Sequence, residues 1–139
     1  MSRTLTLTGA IDAVDTRTNL TAQGSVTTPS LVVPVGMTKI IGIRAAIACD
    51  ALADDGMYVG ILRLGGAAVK NGEQTFVFAG GGNQTVQAGS DAAPSVCVPF
   101  VLDNVDVAVS PSDVVNVAAE IAGVDPGDTQ VVVTLIYGK

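Results

Sequence analysis

The chain has no histidine and no tryptophan, and aromatic residues fill only 4% of its 139 positions. Without histidine, the commonest general base and the commonest transition-metal ligand are both missing. A Ser-His-Asp or Cys-His nucleophile cannot be assembled from this chain alone. Lysine or carboxylate chemistry stays open, but no motif points to it, and the expectation is a protein that is not an enzyme and needs no cofactor. Positive charge is scarce as well, with seven Lys and Arg against thirteen Asp and Glu for a net charge of −6. The seven are scattered, whereas nucleic-acid binding needs a clustered basic face that displaces phosphate counterions. No nucleic-acid partner is expected. No apolar run is long enough to span a bilayer or to form the core of a secretory leader. The first eight residues, Met1-Ser2-Arg3-Thr4-Leu5-Thr6-Leu7-Thr8, alternate polar with apolar instead. No membrane partner is expected, and synthesis in a cytoplasm is the corresponding expectation.

What the chain does have is a succession of short Val, Ile, Ala and Thr runs broken by Gly, Pro, Asn and Asp. Apolar residues reach 48%, enough for burial to offset chain entropy in one domain spanning residues 1–139. The core must be built from small side chains, with Phe76, Phe78, Phe100, Tyr58 and Tyr137 as its few large pieces. Period-two alternation is clearest over residues 39–50: Ile41, Ile43, Ala45, Ile47 and Cys49 fall on one face, and Gly42, Arg44, Ala46, Ala48 and Asp50 on the other. Asp54-Asp55-Gly56 turns the chain into a strand over 57–64. Gly65-Gly66 and Lys70-Asn71-Gly72-Glu73 then bracket an excursion before a strand over 74–79.

Gly80-Gly81-Gly82-Asn83 reads as the start of a flexible loop, with a brief strand over 85–87. Residues 96–102 read as another strand, with Pro94 and Pro99 suggesting an edge position or a bulge. Val105, Val107 and Val109 alternate, as do Val115, Val117, Ala119 and Ile121, and finally Val131, Val133, Leu135 and Tyr137. A helix over 113–122 is the alternative for the third of these runs, but β-branched content favours strand. The count is roughly eight or nine strands, the number expected of a β-sandwich or barrel. Residues 9–30, rich in Gly, Asp, Thr, Asn and Ser, read as an irregular arm or long connection.

Candidate sites are few. Cys49 and Cys97 could be bridged, but their strand phases differ and a cytoplasmic origin disfavours a disulfide. Two separate thiols are the favoured reading. Asp50, Asp54 and Asp55 gather in one loop and Asp125 and Asp128 in another. Calcium binding is open for each, although aspartate is also an ordinary turn residue and neither loop has EF-hand spacing. Gly80-Gly81-Gly82 lacks the following Lys-Ser/Thr of a phosphate cradle. Arg44 and Arg63 stand out because each interrupts an apolar strand, and arginine suits paired contacts with carboxylates across an interface. Ile40, Leu62, Leu64, Val132 and Ile136 read as apolar residues on the second face of their strands. A subunit interface through Arg44, Arg63, Leu62, Leu64, Val132 and Ile136 is one reading. A second buried core face is the other.

Three stretches together resemble small jelly-roll virion proteins of icosahedral bacterial or archaeal viruses. They are Pro34-Val35-Gly36-Met37-Thr38-Lys39-Ile40-Ile41-Gly42-Ile43, residues 59–64 running into Gly65-Gly66, and residues 129–137. The likeness covers residues 30–138. It implies an all-β fold, a jelly-roll-like β-sandwich of about eight antiparallel strands in two sheets. It further implies a capsid decoration (cement) protein or small capsid subunit located in the virion. Such a protein acts by symmetric association as a homo-oligomer, a trimer or pentamer, and with other capsid proteins. It carries over no catalytic or ligand residue. The rival expectation is a carbohydrate-binding or adhesin-type β-sandwich module, which the missing tryptophan disfavours.

Overall fold

Alternating apolar residues become strands throughout the computed structural model, which describes residues 3–11, 15–22, 30–49, 57–82, 96–123 and 129–139. Among these, every regular element is a strand. In chain order they are β1 (Arg3–Ile11), β2 (Thr18–Asn19), β3 (Thr21–Ala22), β4 (Ser30–Val32), β5 (Lys39–Cys49) and β6 (Met57–Gly65). β7 (Gln74–Gly82), β8 (Val96–Leu102), β9 (Val107–Ala108), β10 (Val114–Gly123) and β11 (Thr129–Gly138) follow. They form two antiparallel sheets packed face to face. The first runs β3-β1-β11-β5-β8, with β9 also on β5. The second runs β2-β10-β6-β7, with β4 also on β10.

The pairing is nested. Setting aside the two-residue pieces β2, β3 and β9 leaves eight principal strands. The first of these pairs with the last (β1 with β11), the second with the seventh (β4 with β10), the third with the sixth (β5 with β8), and the fourth with the fifth (β6 with β7). The chain is thus one long hairpin rolled up, and the contacts β11–β5 and β10–β6 join its turns into sheets.

The core lies between the sheets and follows the period-two rule. Val115, Val117, Ala119 and Ile121 of β10, and Val131, Val133, Leu135 and Tyr137 of β11, are all buried. The helix alternative for 113–122 is therefore not realised. Val105, Val107 and Val109 are buried as their alternation required, although only Val107 and Ala108 pair as a strand. Phe76 and Phe100 pack against this core from its margin, and Tyr137 lies wholly inside it. Each fully buried aliphatic side chain contributes about 1.5–3 kcal/mol relative to exposure.

Two strand assignments need correction. In β5 the inward residues at its start are Ile40 and Ile43, both fully buried, while Ile41 is only half-buried. The register explains this: Ile136 sits opposite Gly42 but Tyr137 sits opposite Ile40, so Ile41 is an inserted bulge residue that flips the phase. The Gly80-Gly81-Gly82 run is strand rather than loop, paired with Val59, Tyr58 and Met57. A second bulge leaves Ala79 between Phe78 opposite Gly60 and Gly80 opposite Val59. Backbone pairing carries the strand on where side chains give no signal. Pro99 does mark an edge, since β8 ends the first sheet.

Where it is described, the 9–30 stretch between β1 and β4 carries short strand pairings. β1 continues to Ile11. β2 then pairs with β10 in the second sheet and, one residue on, β3 pairs with β1 in the first. Leu20 between them is fully buried, and its N–H donates to Val117 O at 2.9 Å. Gly9 makes the room, because a Cβ there would lie 2.6 Å from Leu20 Cδ2. The strap therefore closes one side of the sandwich. The 85–87 strand and the turns at Asp50, Asp54, Asp55, Asp125 and Asp128 lie outside the described residues.

Candidate functional site

Charged side chains gather on the outer face of the second sheet. Arg63 of β6 is flanked in register by Thr75 of β7 and Ala118 of β10, and it reaches two carboxylates. Its Nη1 donates to Glu120 Oε1, and its Nε lies 3.8 Å from Glu73 Oε1. Glu73 in turn takes a two-pronged contact from Arg17, Nη2 to Oε1 at 3.0 Å and Nη1 to Oε2 at 3.1 Å. Two arginines and two glutamates make a neutral lattice. It pins the segment before β2 onto the sheet, with the planar guanidinium matching the carboxylate fork. The Arg63–Glu120 pair is the sheltered half of the lattice, at 19% and 15% side-chain exposure. Arg17 and Glu73 are solvated, so their contact is worth little by itself.

The outer face of the first sheet is different in character. One row crosses it as Thr6, Thr134, Arg44 and Val101, and the next as Thr8, Val132, Ala46 and Pro99. Thr6 and Thr134 share a hydrogen bond at 2.9 Å. Arg44 Nη2 contacts Asp103 Oδ1 at 2.7 Å on the solvated surface. Val132 and Val101 are exposed, and Ile136 is half-buried. This face is low in charge and made largely of small side chains.

The six residues read from sequence as one interface therefore divide three ways. Arg44, Val132 and Ile136 share the first sheet's outer face. Arg63 is on the second sheet's outer face, engaged with its own chain. Leu62 and Leu64 are a correction: both are fully buried between the sheets, with no exposed surface for a neighbour. Residues one apart on a strand cannot share a face, so Arg63 outward forces Leu62 and Leu64 inward. Ile40, read as second-face, is core for the bulge reason given above. The two cysteines sit in adjacent strands but are not register partners, Cys49 facing Val96 and Cys97 facing Ala48.

Sequence reasoning missed two features. A cavity of about 60 Å³ opens where the segment before β7 meets β9, lined by Val69, Asn71, Gln74, Asp106, Val107 and Ala108. That is room for a few waters. The other is the hydroxyl of Tyr137, a residue expected in the core, which is enclosed there with no hydrogen-bond partner among the described residues. Burial pushes its pKa up to about 12. Among the described residues no group of three or more Cys, Asp or Glu side chains is placed to hold a metal ion. Likewise no helix there is long and apolar enough to cross a membrane.

No protein-family model matches the chain, and no curated protein does. Function must be argued from the sandwich and its faces.

Proposed function

We propose that this chain is a virion structural protein, a capsid decoration (cement) protein or small capsid subunit, that works by symmetric association with copies of itself and with other capsid proteins. The observation that carries the proposal is the nested strand order. We read pairing first with last, second with seventh, third with sixth and fourth with fifth as supporting a jelly-roll wrap, an architecture used by capsid and lectin domains alike. Fold alone does not decide between such roles.

The faces favour assembly. The described cavity has no aromatic platform for a sugar. The apolar outer surface is instead spread over strands as Val32, Val77, Val101 and Val132. Such a surface suits broad contact with a neighbour rather than a pocket for a ligand. The mechanism is mechanical: the packed core holds the outer faces of the two sheets in place, and burial between copies supplies the binding energy. Trimers or pentamers are the closed forms this reading expects.

The test is the mass of the native assembly, measured on purified protein over a range of concentrations and after mixing with capsids. A closed oligomer or a particle-bound form supports the proposal. A protein that stays monomeric at high concentration and never binds capsids refutes it.

A further inference from the structure

Of the sheet edges described, β7 is the longest that carries neither charge nor proline. The first sheet ends on β3, which covers only Leu7 and Thr8 and leaves the rest of β1, with its charged Arg3, without a described strand on that side, and on β8, which contains Pro99 and is separated from β9 by residues 103–106. The second sheet ends on one side in β2 and β4, two and three residues long. Short strands and proline are the means by which sheets avoid unwanted pairing. The other edge of the second sheet is β7. Its nine residues, Gln-Thr-Phe-Val-Phe-Ala-Gly-Gly-Gly, include no charge and no proline. It pairs with β6 on one side and, among the described residues, with no strand on the other. Alternate residues of such a strand turn N–H and C=O away from the sheet. From Gln74 to Phe78 the register with β6 is unbroken. Val77 is 64% exposed.

We propose that β7 is a pairing edge whose partner is β7 of a second copy, joined antiparallel about a two-fold axis through Phe76. Charge points to the chain itself as the occupant. A molecule of net charge −6 repels its copies over most approaches. β7 is uncharged along its whole length and meets itself without placing like charges opposite. A two-fold contact also demands a self-complementary patch, and residues 74–78 supply it. With Phe76 facing its own mate, Thr75 faces Val77 of the second copy, and Gln74 faces Phe78. The inference deepens the assembly reading by naming one contact, and rests on it in taking the chain as its own partner. A two-fold of this kind can join trimers or pentamers into a closed shell.

Sedimentation velocity on the full chain tests it with two double variants. Thr75→Glu/Val77→Glu sets like charges opposite each other in this register. Thr75→Glu/Val77→Lys sets opposite charges there. Both place the same glutamate beside Arg63 and alter only exposed positions, so the folded subunits are matched. The unchanged protein and the Glu/Lys variant should dimerise, and the Glu/Glu variant should dimerise more weakly by about tenfold or more. Equal self-association of the two variants would overturn β7 as the contact while leaving assembly through another face intact. Absence of any dimer in the unchanged protein would overturn it too, and capsid binding by that same protein would then judge the assembly reading separately. Amide exchange along β7 should slow as concentration rises. Slow exchange already present in the monomer would mean the edge is covered within the chain, and the inference would fail.

Discussion

Tyr137 carries a hydroxyl into the core with no partner among the described residues, and stability should register this. Its pKa is pushed up to about 12 by burial, against about 10 in an unfolded chain. Between those values the unfolded chain sheds the proton first. The stability tied to the neutral phenol is therefore complete below about pH 10 and lost as pH rises through about 12, a change of roughly 2–3 kcal/mol. Tyr137→Phe should flatten that alkaline limb, and at neutral pH leave stability unchanged or raise it by about 1 kcal/mol. Urea unfolding of both proteins at neutral and alkaline pH checks this, and a clear loss at neutral pH would show that the hydroxyl is bonded after all. The ion-pair lattice gives a graded expectation. Glu120→Ala strips the sheltered partner from Arg63 and should cost about 1.5–3 kcal/mol, whereas Arg17→Ala, at a solvated site, should stay within about 0.5 kcal/mol. Equal costs in the same unfolding assay would contradict the division between sheltered and solvated halves.

At the scale of the element, the β2–Leu20–β3 strap ties the two sheets together through one buried leucine. Leu20→Ala should destabilise the fold by about 2–5 kcal/mol, as should Leu62→Ala in β6, while Val132→Ala on the outer face should cost well under 1 kcal/mol. Thermal or urea unfolding orders the three, and a costly Val132→Ala would mean that its face is not free. Gly66 supports another element, the turn that brings β6 across the start of β10. With φ at +95° and a would-be Cβ 2.6 Å from Val114 O, Gly66→Ala should lower stability measurably. The alternation of β10 and β11 was legible in the sequence because a pleated strand buried on one face must alternate. β5 was misphased because its bulge depends on a register with β11 that no local pattern encodes. Gly80-Gly81-Gly82 read as loop because glycine offers no side chain to mark a face, yet its backbone pairs with β6. The interface set was the least legible. Both faces of β6 carry apolar residues, and the set joined Arg63 to Leu62 and Leu64, which alternation along the strand places on the opposite face.

At the scale of the molecule, the nested pairing makes β1 and β11 each other's support, in register from Arg3 opposite Tyr137 to Ile11 opposite Thr129. Distant parts of the chain must meet before the sheets close, which predicts slow folding for its size. The rolled shell leaves two outer faces and the uncharged β7 edge, and the proposed role depends on whether these meet copies of the same chain. Native mass spectrometry of the untagged protein across concentration, alone and with capsids, measures that directly. Symmetric association predicts discrete multiples of the chain mass that grow with concentration, or a particle-bound form. A single monomer peak at every concentration, with no capsid binding, would contradict it.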